Sequence, residues 1–329
     1  MDLSTTHLFI LALGSIVAGI LLLIRGGNWT IDSAVYIANK YGISPLIVGF
    51  TIIAFGTSLP ELVVSVFANM QGSGGIAIGN VIGSNIANIA LVVGVTAAMA
   101  TLHVHKNSLK SIRRDLFMML GCTLLLAGLL FYGDITRTAG VLMCALLAGY
   151  ILLQYKMAQK GEIENPLDIE EAEQEFKNKA QAFFFLLIGL IIIAIGAEFL
   201  VRGAKVSATI IGVPEAVIAL SIIAFGTSLP ELSTSIIAAR KGHSDIALGN
   251  IIGSNVFNIL LIIGITSLVK PILQSSYVPQ LATFDIWIAF GIAAIFAGSL
   301  ILFKKISRPL GGLFILGYIL YNGYIFTMY

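Results

Sequence analysis

Eleven consecutive residues, Ile52-Ile-Ala-Phe-Gly-Thr-Ser-Leu-Pro-Glu-Leu62, recur unchanged at Ile222–Leu232. The register between the copies extends further. A constant offset of 170 with no gap carries Gly42 onto Gly212, Ser65 onto Ser235, Gly79-Asn80 onto Gly249-Asn250 and Thr96 onto Thr266. A chain with such a duplication is expected to fold as two copies of one unit. Each copy also sets one carboxylate inside an apolar run long enough to cross a bilayer, and buried charge repeated in this way points to an ion pathway between the halves.

Hydrophobic residues make up 57% of the 329, charged residues only 11%, and the mean hydropathy is +0.96. That leaves too little polar surface to coat a soluble globule, so the chain reads as an all-α polytopic membrane protein. Runs long enough to span lie at Leu8–Leu23, Pro45–Met70, Ile76–Ala100, Leu116–Tyr132, Ala139–Tyr155, Phe183–Val201, Pro214–Ala239, Ile246–Val269, Phe284–Phe303 and Leu310–Tyr329. These ten transmembrane helices divide into a first five-helix repeat over 1–155, a linker over 156–180 and a second repeat over 181–329.

With the N-terminus outside, only Arg137, Arg202, Lys205 and Lys270 of the 19 basic residues fall outside, leaving 15 on the cytoplasmic side. Both termini are then extracytoplasmic, in the cell membrane, or the inner membrane if the source is bacterial. Met1–His7 carries no positive n-region, so the first apolar run reads as a retained span rather than a cleaved leader. Five spans per half force the second copy to enter from the opposite face, giving two inverted repeats. The loops agree: Asn69–Gly75 has no basic residue, while its counterpart Ala239–Asp245 has Arg240 and Lys241.

Between the halves, Lys156–Lys179 holds seven acidic and four basic residues and reads as a solvated cytoplasmic linker, helical in part at Leu167–Phe176. Glu170–Glu175 lacks the alternating oxygens and turn glycine of an EF-hand. Cys122 and Cys144 fall within spans and read as packing residues, with no disulfide framework.

Pro60 and Pro230 have no N–H and disfavour helix at the residue before them, so the backbone should break around Gly56–Pro60 and Gly226–Pro230. Carbonyls freed in hydrocarbon need a partner. Glu61 and Glu231 stand beside those breaks. A carboxylate at mid-bilayer costs about 3 kcal/mol on insertion scales, and no Lys or Arg lies in either motif to offset it. Two negative charges match one divalent cation, and Thr57, Ser58, Thr227, Ser228 and the loosened carbonyls supply further oxygens of the kind calcium accepts. No adjacent thiol or imidazole favours zinc or copper.

Gly79–Asn88 and Gly249–Asn258 space small residues four apart, which allows close helix approach. Packing does not explain Ser84, Asn85 and Asn88, repeated at Ser254, Asn255 and Asn258, since each buried amide needs partners. Asn88 and Asn258 read as ion ligands, with interhelical hydrogen bonding as the alternative. Glu198 and Arg202, one turn apart, read as a structural ion pair. His7, His103, His105 and His243 fall outside the spans, so none is placed for an intramembrane proton relay.

With Gly-Thr-Ser-Leu-Pro-Glu and Gly-Ser-Asn each present twice, the chain closely resembles the cation/calcium exchanger superfamily, in its prokaryotic sodium/calcium exchanger branch. The resemblance implies two inverted five-helix repeats in which the second, third, seventh and eighth helices form a rigid core and the first and sixth slide past it. It implies exchange of about three sodium ions for one calcium ion, with these ions and the lipid bilayer as partners. No cofactor, nucleic acid or obligate protein partner is expected. By motif position, calcium falls to Glu61, Glu231 and the carbonyls of Thr57 and Thr227; sodium falls to the Ala54 and Ala224 carbonyls with Ser58, Ser84, Ser228 and Ser254. Asn88 and Asn258 occupy polar positions near the centre. Some prokaryotic relatives carry Asp at the latter, so Asn258 removes a titratable group.

The runner-up is a calcium/proton antiporter of the same superfamily, which typically pairs its acidic residue with a neighbouring histidine; none follows Glu61 or Glu231. An intramembrane hydrolase would need a nucleophile with a base or paired aspartates, which the spans do not offer, so no enzymatic activity is expected. A passive channel fits poorly with full coordination of a divalent ion, which slows escape.

Overall fold

Small residues determine how far the first helix stays in contact with protein. The computed structural model describes residues 3–159, 176–212 and 224–328. Helix α1 runs Leu3–Tyr41, well past the expected Leu8–Leu23, because its second half replaces exposed leucines with Gly26, Gly27, Thr30, Ser33 and Ala34, all buried. Helices α2 (Pro45–Thr57) and α3 (Leu59–Met70) meet at a 44° bend. Then come α4 (Gly74–Met99), α5 (Leu109–Tyr132) and α6 (Arg137–Gln159). The second half opens with α7 (Lys179–Ile210), capped by Asn178, whose side chain accepts from the Gln181 N–H at 2.8 Å. It continues through α8 (Ala224–Thr227), α9 (Leu229–Arg240), α10 (Ser244–Val269), α11 (Ile286–Phe303) and α12 (Arg308–Met328).

Among the described residues, seven helices are long and apolar enough to cross a membrane, and the bent α2–α3 pair makes an eighth when counted as one span. The protein is a multi-pass helical membrane protein. The beginning of the expected span Pro214–Ala239 lies outside the described residues, which hold only its end as α8 and α9. So do the linker's Glu170–Glu175 group and all of the helix expected at Leu167–Phe176 except Phe176.

Helices α4 and α10 form the centre: 72% and 83% of their apolar stretches are buried, against 17% for α1. Helix α1 packs antiparallel on α7 through glycines. A Cβ on Gly19 would stand 2.7 Å from the Gly196 carbonyl, one on Gly26 would stand 2.8 Å from the Gly189 carbonyl, and Gly203 meets the Ala12 carbonyl. The offset of 170 turns 19 into 189 and 26 into 196, so these contacts are reciprocal, as a two-fold relation between the helices requires. The turns repeat too. Gly42 and Gly212, and Gly72 and Gly242, end their helices at φ values of 62°, 85°, 88° and 84°, where a side chain would be strained.

Two short pairings tie loops together. Leu102–His103 pairs antiparallel with Lys305–Ile306, and Ile135 bridges Ile272. Cys122 is buried in the core and Cys144 is half-buried against Gly264; both are free thiols.

Candidate functional site

The break predicted around Gly56–Pro60 falls at one residue. Helix α2 stops at Thr57, Ser58 turns with φ −85° and ψ 2°, and α3 starts at Leu59 with Pro60 in its first turn. Ser228 repeats this between α8 and α9 with φ −86° and ψ 2°. Proline here costs little, since a helix's first N–H groups have no intrahelical partner. Its missing N–H also withholds the donor that a continuous helix would offer to Gly56 or Gly226. Glu61 and Glu231 sit in the first turns of α3 and α9, where the helix dipole favours negative charge, and each is at most 1% exposed.

The two motifs meet. Ser58, from the first, donates to Glu231 Oε1 of the second at 3.4 Å, and Ser254 of α10 donates to the same oxygen at 3.4 Å. Thr57 Oγ1 lies 3.4 Å from Asn250 Oδ1, 3.5 Å from Ser254 Oγ and 3.4 Å from the Ala54 carbonyl, which also accepts the Ser58 N–H at 3.1 Å. These hydroxyl contacts are long for O–H···O hydrogen bonds. Several buried polar atoms around them have no partner among the described residues: Glu61 Oε2, Glu231 Oε2, Ser228 Oγ, Asn258 Oδ1, and both side-chain atoms of Asn88. Leaving such atoms unsatisfied costs about 1–3 kcal/mol each, and more for charged ones.

Asn88 and Asn258 each open a π-helical segment, Asn88–Val93 and Asn258–Ile263, inside α4 and α10. Such wide turns are frequent at functional sites. Asn258 spends its amide on the other repeat, donating to Asn85 Oδ1 at 3.0 Å, and keeps Oδ1 free. Its amide nitrogen makes the interhelical hydrogen bond of one sequence reading, and Oδ1 is the atom that the ligand reading would use. Ser84 is buried, Thr227 half-buried, and Ala224 opens α8.

Two asparagines escaped assignment to the site from sequence. Asn80 donates to Ser65 Oγ at 3.0 Å and to the Glu61 carbonyl at 3.2 Å, bracing α3 against α4. Asn250 donates to Thr234 Oγ1 and Ser235 Oγ at 3.0 and 3.1 Å, and turns its Oδ1 to Thr57. Their repetition in Gly79-Asn80 and Gly249-Asn250 was the available signal. Glu198 and Arg202 do pair, on an exposed face. His105 Nδ1 meets Asp245 in the first turn of α10 at 3.1 Å.

The donor set is all oxygen apart from amide nitrogens, with two carboxylates, and among the described residues no cluster of three or more acidic, histidine or cysteine side chains is placed to hold a metal. It suits a hard cation taken up as cargo and released, more than a resident transition metal.

The sequence matches the sodium/calcium exchanger protein family over residues 11–156 and 181–327. It is 37% identical to the putative antiporter CaxA of Alkalimonas amylolytica, covering 95% of this chain and 98% of that one. It is 35% identical to the inner membrane protein YrbG of Escherichia coli K12, covering 80% and 81%. Among solved structures, the sodium/calcium exchanger from Methanococcus jannaschii superposes with a TM-score of 0.78 at 30% identity, covering 95% of this chain and 97% of that one.

Proposed function

The chain belongs to the sodium/calcium exchanger protein family, and we propose that it is a secondary antiporter that exchanges sodium for calcium by alternating access, moving net charge in each cycle. The observation that carries this reading is the pair of buried carboxylates, Glu61 and Glu231, each with an oxygen that no group among the described residues satisfies. In this reading one calcium ion bridges them with the Thr57 and Thr227 carbonyls. Sodium ions displace it by occupying neutral oxygens of Ser58, Ser84, Ser228, Ser254 and the Ala54 and Ala224 carbonyls, sharing the same carboxylates. Asn88 and Asn258 contribute their Oδ1 atoms at the centre. Binding is competitive because either load must offset the same two charges.

The architecture we propose is ten transmembrane helices in two inverted five-helix repeats, 1–155 and 181–329, joined by the linker 156–180, with both termini extracytoplasmic. The reciprocal α1–α7 packing supports it. The related exchanger from M. jannaschii is described as undergoing extracellular ion exchange with induced occlusion of its binding site, which fits alternating access here. The protein is a transporter without a cofactor and not an enzyme.

Calcium-45 uptake into proteoliposomes under imposed sodium, proton or potassium gradients tests the reading. Uptake driven by an outward sodium gradient is expected. Uptake driven by protons in the absence of sodium would replace it with the calcium/proton reading.

A further inference from the structure

The two halves repeat in sequence, but the seams that flank the site differ. Along one seam α1 runs beside α9 in three steps. The Leu23 carbonyl accepts from Ser233 Oγ at 2.9 Å, Gly27 is closed over by Ile237 and Ser233, and Asp32 forms an ion pair with Lys241. The positions advance together, 23, 27 and 32 against 233, 237 and 241, so the seam follows α9 from just past Glu231 to the helix end. Leu23 and Leu229 share one buried cluster with Ile193 and Ala197 of α7.

The offset of 170 maps this seam onto Ile193, Ala197 and Arg202 of α7 against Val63, Phe67 and Gln71 beside α3. There Val63 is 52% exposed and Phe67 59%, and Arg202, the counterpart of Asp32, pairs within its own helix to Glu198 at 77% exposure. The counterpart of Lys241 is Gln71, which carries no charge. Helices α1 and α9 are thus in contact along their seam with an ion pair at its end, while the α3 seam stands apart and, Gln71 being uncharged, has no equivalent ion pair to join it.

From this inequality we infer that Asp32 and Lys241 are positioning residues for the exchange cycle: their ion pair holds shut the access path that leaves the site along α9, and it must open before ions pass at that end. The inference rests on the alternating-access reading above. In a protein of two repeats, the opposite-facing state arises when each half takes up the other's arrangement. That move parts Asp32 from Lys241 and brings Arg202 towards uncharged Gln71. The pair therefore stabilises one facing state without a matching gain in the other, and biases the resting population.

The test places a cysteine reporter in the closed seam, Ile237→Cys, in a background of Cys122→Ala and Cys144→Ala. Its modification by a soluble maleimide added at the Lys241 end is measured with Asp32 and Lys241 intact, in Asp32→Asn, in Lys241→Met, and in the charge-reversed pair Asp32→Lys with Lys241→Asp. A half-buried ion pair predicts roughly fivefold faster labelling in each single variant. It also predicts a matching decrease in the calcium concentration that half-saturates exchange from that end. Charge reversal is expected to restore slow labelling, which a merely structural loss would not do. Unchanged labelling in the single variants, or labelling that stays fast in the reversed pair, overturns the inference. The antiport reading fails separately: absence of sodium-driven calcium uptake by the unmodified protein refutes it whatever the labelling shows.

Discussion

Asn85 donates from its amide to the backbone carbonyl of Asn255, its own counterpart 170 residues on, at 3.2 Å. Two equivalent residues touch each other only where the relation between the repeats passes through them. The contact therefore marks the centre of the molecule, and Asn258 reinforces it by donating to Asn85 Oδ1. Replacing Asn85 with Leu would strand the Asn258 amide in a buried interface, while the Asn255 carbonyl keeps its bond from the Asn258 N–H. A loss of about 1–3 kcal/mol in stability is expected, measured as a lower midpoint of thermal unfolding in detergent. The same change at exposed Val141 should leave the midpoint in place.

The two carboxylates are expected to be unequal partners in the same site. Glu231 Oε1 has Ser58 and Ser254 as donors, whereas the hydroxyl of Ser228, the counterpart of Ser58, has no partner among the described residues. Glu61→Gln or Glu231→Gln lowers the site charge from −2 to −1, and either should abolish calcium binding measured by isothermal titration. Ser58→Ala removes one long, weak contact and should cost less than tenfold in affinity, about 1 kcal/mol. Near-normal calcium exchange by a folded Gln variant at either position would refute the ligand roles.

Much of this was legible in the sequence because the exact repeat, the proline and the carboxylate each have a local consequence. Pro60 and Pro230 placed the breaks to within two residues, at Ser58 and Ser228. Hydropathy fell short wherever burial rather than lipid decides the residue. The second half of α1 is full of Gly, Ser and Thr, reads as polar, and is nonetheless helix packed against protein. The Asn80 and Asn250 braces were missed for a similar reason: an amide's role depends on which neighbour lies opposite, and two helices must be positioned before Ser65 or Thr234 appears as a partner. The inequality of the two seams was not legible at all, since a repeat in sequence carries no record of which half is closed.

Orientation is tested at the ends of the two motif helices. Met70 and Arg240 are counterparts, and both are exposed. In intact cells, a cysteine replacing Met70 should react with an impermeant maleimide added outside, and one replacing Arg240 should react only after the cytoplasmic face is opened. Reaction of both from the same side would contradict the inverted repeats proposed here.

The exchange itself is expected to respond to voltage. If three sodium ions leave as one calcium ion enters, +3 moves one way and +2 the other, so each cycle carries one net positive charge outward. Across 100 mV that charge is worth about 2.3 kcal/mol, a roughly fiftyfold bias on the calcium gradient. The site is built for such a trade because it combines two carboxylates with many neutral oxygens, and so accommodates one divalent or several monovalent ions against the same charge. In proteoliposomes loaded with sodium, an inside-positive potential set by potassium and valinomycin should accelerate calcium-45 uptake, and an inside-negative one should slow it. Uptake indifferent to the potential would exclude a three-for-one exchange and require two sodium ions per calcium, which leaves the carboxylate pair neutralised by either load and no charge to move.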